Sequence, residues 1–99
     1  MSRPAVHVVA RFTAAPGKAE DLQALLRGAV APTRAEAGCV KYELLVNPSD
    51  AGDLVFIEEW ESDAHLDAHN LTPHIEGARA VIGPLLGAPP DIRRYRIVL

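Results

Sequence analysis

The chain of 99 residues predicts one α+β domain of ferredoxin-like type, β-α-β-β-α-β, with a four-stranded antiparallel sheet and helices on one face. Three observations predict it. Four segments alternate apolar and polar residues with the period of a strand. Two regions carry the 3.6-residue apolar stripe of amphipathic helices. A cluster of turn-forming residues joins the middle two strands as a hairpin. No long linker, internal repeat or low-complexity tract divides residues 1–99.

The first strand is Val6 to Phe12, with Val6, Val8, Ala10 and Phe12 on one face and His7, Val9 and Arg11 on the other. Pro16-Gly17 ends it. From Lys18 to Glu36 the period becomes helical: Leu22, Leu25, Leu26, Ala29 and Val30 form one stripe, and Glu20 and Asp21 suit the positive end of the helix. Pro32 removes a hydrogen bond and crowds the preceding turn, which predicts a kink or a second short helix there. Gly38 ends that region, and Val40 to Val46 is the second strand, with Val40, Tyr42, Leu44 and Val46 on one face. The cluster Asn47-Pro48-Ser49-Asp50-Ala51-Gly52-Asp53 returns the chain into Leu54 to Trp60. This third strand sets Leu54, Phe56, Glu58 and Trp60 against Val55, Ile57 and Glu59. Ser62 suits the N-cap of a short helix reaching His69 or Asn70. Thr72-Pro73 starts another, cap followed by proline, carrying Ile75, Ala78, Val81, Ile82 and Leu85 or Leu86. Gly87-Ala88-Pro89-Pro90 closes it, and Ile92 to Leu99 is the fourth strand.

Val9, Leu45, Val55 and Ile57 then share the sheet face that no helix covers. An apolar patch of that kind marks an interface, so the pattern predicts a homodimer, with the C-terminal strand crossing to its partner.

Composition excludes several classes. With 48% hydrophobic and 23% charged residues the chain is globular rather than disordered. No apolar run is long enough to span a membrane, and Met1-Ser2-Arg3-Pro4 leads directly into a strand rather than an apolar signal region. Cys39 is the single cysteine, so an internal disulfide and a cysteine-rich zinc site are excluded; it reads as a small packing residue. These features predict a cytoplasmic protein. Ten basic against thirteen acidic residues, net −3, oppose nucleic-acid binding, as does the absence of an aromatic RNA-binding pattern. Arg93, Arg94 and Arg96 read as solvated or interface-pairing charges.

The chain has no P-loop, dinucleotide glycine fingerprint or nucleophile elbow. Its chemical signal is a cluster after the third strand: Glu58, Trp60, His65, His69, Asn70 and His74. His65 and His69 are four apart and Glu61 is near, but the zinc-protease motif is absent, so no metal site is expected. A helix break at Leu71-Thr72 can aim His69 and His74 at one cavity, where a neutral imidazole is a suitable base. Glu58, beside Phe56 and Trp60, is placed to orient His69; the plain alternative is a hydrogen bond that holds helix to sheet. Trp60, Tyr42 and Phe56 are candidates to line the pocket, with Asn70 beside them.

Several stretches together resemble the antibiotic biosynthesis monooxygenase family. They are Ala10-Arg11-Phe12 with Pro16-Gly17-Lys18, Gly38-Cys39-Val40-Lys41-Tyr42-Glu43, Phe56-Ile57-Glu58-Glu59-Trp60 and His69-Asn70-Leu71-Thr72-Pro73-His74, in order across nearly the whole chain. The resemblance implies a dimeric α+β barrel of two ferredoxin-like subunits. It implies a monooxygenase that acts on a hydroquinone or polyketide-like aromatic with molecular oxygen and no cofactor. His69 is then the first choice of base, His74 the second and Glu58 the orienter, with Trp60, Tyr42, Phe56 and Asn70 at the substrate. The family's haem-degrading branch is disfavoured, because its asparagine, tryptophan and haem-ligating histidine fall near Ala10, His69 and Arg79. The Thr72-Pro73-His74 ending is closer to the quinol-oxidising and isomerase branches. The alternatives are an isomerase using the same proton-transfer groups, and a non-catalytic dimer that binds an aromatic metabolite.

Overall fold

A computed structural model describes residues 4–99; Met1, Ser2 and Arg3, and the reading of the chain's first residues that rests on them, lie outside the described residues. The elements are β1 (Val6–Thr13), α1 (Ala19–Gly28), α2 (Val30–Arg34), β2 (Cys39–Asn47), β3 (Asp50–Trp60), α3 (Asp63–His69), α4 (Pro73–Ile82) and β4 (Asp91–Tyr95). The sheet order is β2-β3-β1-β4 and every neighbouring pair is antiparallel. This is the expected ferredoxin-like arrangement. The alternation in β1 and β3 carries through to burial. Val6, Val8, Ala10 and Phe12 on β1 face the same interior as Leu54, Phe56, Glu58 and Trp60 on β3. Leu22 and Leu26 of α1 and Leu66 of α3 close this interior from above.

Four of the boundaries that differ from the sequence reading do so for a local reason; in addition α4 ends at Ile82, short of Leu85 and Leu86, and a single tight turn over Gly83–Leu85 follows it. The first helical region breaks at Ala29 rather than at Pro32. A continuous helix would drive the Pro32 ring against the Gly28 carbonyl; in α2 the proline is instead the third residue, where no intrahelical bond needs its missing N–H. The second strand begins at Cys39 with a bulge: Cys39 pairs with Trp60 and Lys41 with Glu59, so Val40 has no partner. Cys39 therefore takes the inward place expected of Val40, which is 55% exposed. The hairpin turn is tighter than the seven-residue cluster, since Asn47 already pairs with Asp50 and Asn47 Oδ1 accepts the Ser49 N–H at 2.9 Å. The fourth strand ends at Tyr95 rather than Leu99: its pairing with β1 stops at His7–Tyr95, one residue short of the start of β1 at Val6, so Ile97 to Leu99 run past the end of that strand.

The arginine cluster is paired. Arg94 bonds Asp63 and Asp67 and Arg96 bonds Asp63, tying β4 to α3, while Arg93 bonds Asp91 on its own strand. No helix among the described residues is long and apolar enough to cross a membrane.

Candidate active site

The α2–β2 connection, α3 and α4 converge over the inward face of β2 and β3. Gly38 makes this approach possible: its φ of +80° suits glycine, and a Cβ there would collide with the His65 ring. Ser62 caps α3 by accepting the His65 N–H at 3.3 Å, and its hydroxyl meets His65 Nδ1 at 2.7 Å. His65 is thus engaged at the start of its helix and takes no part in the cluster around His69. One turn on, Leu66 and His69 turn inward, and His69 is 3% exposed.

The carboxylate that meets His69 is Glu36, not Glu58. Glu36 Oε2 lies 2.8 Å from His69 Nδ1 and 2.9 Å from His74 Nε2. The protons follow from the surroundings. The Thr72 hydroxyl donates to the His69 carbonyl at 2.8 Å, so toward His74 it can only accept. His74 Nε2 therefore carries a proton for Glu36, with the hydroxyl of fully buried Thr33 also at 3.1 Å. Burial lowers the His69 pKa, and the Glu36 hydrogen bond opposes that effect. A neutral His69 with its proton on Nδ1 donates to Glu36 and keeps the Nε2 lone pair available.

Glu58 is held elsewhere. Its Oε1 accepts the Trp60 indole N–H at 2.9 Å. Burial pushes its pKa up to about 7, against the pull of that hydrogen bond, and the charge of Glu36 adds to the rise. Tyr42 stacks on Phe56 with ring centroids 4.5 Å apart. Burial, reinforced by Glu58, raises the Tyr42 phenol above its ordinary pKa, so it stays a neutral O–H.

Between sheet and helices lies a cavity of about 240 Å³. Apolar residues such as Val8, Ala10, Leu26 and Ile75 form most of its wall, and its polar members include Tyr42, Glu58, His69, Asn70 and Arg79. Five predicted residues are thus together on the wall: Tyr42, Phe56, Glu58, His69 and Asn70. Two are not. Trp60 is fully buried behind it, its ring 4.7 Å from that of His69, and supports the wall rather than forming it. His74 stands behind His69, joined to it through Glu36.

The sequence reading missed Glu36, Thr33 and Arg79. Arg79 donates to the Asn70 carbonyl at 3.2 Å, and its charge contributes to the low His69 pKa. Glu36 is 33 residues from His69, and no local spacing announces it. The nearest signal was the helix break before it. Glu36, His69 and His74 are also the residues able to hold a metal ion, their donor atoms lying within 4.8 Å of one another. That set differs from the His65–His69–Glu61 combination weighed from spacing. Cys39, half-buried, has its thiol pKa raised by burial and by Glu36 and Glu58, the opposite of an activated nucleophile.

The chain is 43% identical over 84 residues to a Mycobacterium tuberculosis protein named "Putative monooxygenase Rv0793", covering 85% of this chain and 82% of the relative. It is 33% identical over 82 residues to "Putative monooxygenase YcnE" of Bacillus subtilis, covering 83% and 86% respectively. The crystal structure of PA3566 from Pseudomonas aeruginosa superposes with a TM-score of 0.94 at 35% identity, over 100% of this chain and 99% of that one. The sequence model described as "Antibiotic biosynthesis monooxygenase" matches residues 5–81. The fold, these relatives and that match place the chain in the antibiotic biosynthesis monooxygenase family.

Proposed function

We propose that the protein is a cofactor-independent monooxygenase that oxidises a single-ring hydroquinone with molecular oxygen, as a homodimer. The observation that carries this reading is His69 on the wall of an apolar cavity, its Nδ1 committed to Glu36 and its Nε2 left for a substrate. Cavity size narrows the choice between hydroquinone and polyketide. An apolar cavity of about 150 Å³ accommodates benzene, so one of about 240 Å³ suits one substituted ring better than a polycyclic skeleton.

A cofactorless oxygenase needs a substrate that supplies its own electrons, hence an electron-rich anion. Moving a proton from a phenol of pKa about 10 to an imidazole near 6.5 costs about 5 kcal/mol. Burial of His69 enlarges that gap, and two features reduce it. The Glu36 carboxylate stabilises the imidazolium that forms, as the buried acid of a catalytic triad does. The positive charge of Arg79 on the wall favours the substrate anion. His74 bonds the Glu36 carboxylate and the Thr33 hydroxyl bonds His74, which makes them positioning residues.

Oxygen uptake by chelator-treated, metal-free protein with a panel of hydroquinones, against a no-enzyme control, tests the reading. Enzyme-dependent uptake that survives metal removal is expected. Anaerobic conversion of a ligand would favour an isomerase, and saturable binding without turnover a binding protein. A strict requirement for zinc or iron would assign Glu36, His69 and His74 to a metal instead.

A further inference from the structure

Resting on that reading, we propose that Glu58 is the acid–base group of the reaction's second half, which converts a ring-bound hydroperoxide into a carbonyl and water. Among the described residues it is the one carboxyl group on the cavity wall. Trp60 anchors Oε1 from a fully buried position, and Oε2 has no partner among the described residues. Glu58 comes from β3 and His69 from α3, and each is held by a different group, Trp60 and Glu36. Two separately fixed proton-transfer groups facing one cavity suit two separate proton transfers.

The chemistry requires two. In the first half His69 takes a phenolic proton, and the ring anion gives two electrons to oxygen as a C–O bond forms. The resulting peroxide anion takes the proton back from His69 and becomes a hydroperoxide on a carbon that still bears hydrogen. The second half must break the O–O bond, and hydroxide is a poor leaving group without an acid. Glu58 gives its proton to the distal oxygen, which leaves as water. The C–H electron pair becomes the new C=O bond, and the C–H proton passes to the Glu58 carboxylate, restoring its starting state. Hydroquinone plus oxygen thus gives hydroxyquinone plus water, with all four electrons from the substrate. Without the acid the same adduct sheds hydrogen peroxide and leaves unsubstituted quinone.

The titratable and charged groups around Glu58 are Cys39 and Tyr42 on β2, Glu36 before β2, His69 on α3, Arg79 on α4 and Arg94 on β4. Arg94 is already paired with Asp63 and Asp67. With burial holding its pKa near 7, Glu58 keeps its proton in a substantial share of molecules at neutral pH.

The test is the product ratio of the whole protein with a hydroquinone: hydroxyquinone against quinone plus hydrogen peroxide. Glu58→Gln is expected still to consume oxygen, more slowly, while the peroxide-to-hydroxyquinone ratio rises about 10²-fold or more, the usual range of a positioned acid. Glu58→Asp should recover part of the coupling, and wild-type coupling should fall as pH rises through 7. A purely structural role would slow turnover without redirecting its product. Infrared difference spectra give a readout independent of turnover: a protonated carboxyl band at pH 6, lost by pH 8 and missing in Glu58→Gln. An unchanged product ratio in Glu58→Gln would overturn the proposal, as would a Glu58 ionised at pH 6. Should Glu58→Gln not fold, wild-type coupling against pH and the infrared band decide the matter. Absence of oxygen uptake by the wild type would instead defeat the oxygenase reading itself, and this step with it.

Discussion

Burial and a carboxylate pull on His69 in opposite directions, and the balance suits a base. Desolvation keeps the ring neutral in the free protein, while Glu36 stabilises the cation that exists only after proton transfer. His69→Ala is expected to lower kcat by about 10²- to 10⁴-fold. Because Glu36 acts through His69, Glu36→Gln should cost less than that. The double variant should lose little more than His69→Ala alone, which steady-state kinetics on the four proteins would show. Glu58 makes a different prediction, on stability. Its folded pKa stands above its unfolded value, so the stability tied to its proton is present below about pH 4.5 and is lost as pH rises through about 7. The loss is about 3 kcal/mol, and urea titrations should find Glu58→Gln gaining on the wild type across that range. His69 and Glu58 were legible in the sequence because one histidine-rich stretch and one strand face carry them. Glu36 was not, since a loop residue joins the site only through the packing of α2 against β2.

At the scale of elements, the strands with strict alternation were legible and their ends were not. The pattern places Phe56 and Glu58 inward correctly, yet it cannot see a bulge: one extra residue at Val40 changes which side chain faces Trp60. The break between α1 and α2 is set by the proline's effect on a carbonyl four residues earlier, so it falls before Pro32 rather than at it. Thr33, on the short helix this creates, bonds His74. The cap of α3, by contrast, was readable because the signal is a single residue; Thr72 stands at the start of α4 as expected, but its hydroxyl donates to the His69 carbonyl instead of capping. Ser62 both caps α3 and holds His65, and it is buried. Ser62→Ala is therefore expected to destabilise the protein by about 1 kcal/mol, measured by chemical denaturation. The change should also loosen the turn that presents His69, raising KM or lowering kcat modestly.

For the molecule as a whole, the sheet has two faces and one helical layer. The accessible surface of 6266 Å² exceeds the roughly 5,500 Å² that scaling gives for a monomer of this mass. Part of the excess is apolar. Val9 and Leu45 are 37% and 46% exposed on the uncovered face, beside half-buried Val55 and Ile57. The end of the chain adds to it: Ile97, Val98 and Leu99 follow β4 with nothing on β1 left to pair with, and all three are exposed. A second copy meeting this face would cover the patch and give the terminal residues a strand to extend, without disturbing the cavity on the opposite side. Light scattering at micromolar concentration is therefore expected to give twice the chain mass. Val55→Glu, which puts a carboxylate into the patch opposite Arg11, whose guanidinium is already held by Asp53, should shift that value toward the monomer. The secondary structure should survive the change, because the Val55 side chain faces away from the core. A mass of one chain for the wild type, or a Val55→Glu protein that stays dimeric, would remove this face as the meeting surface.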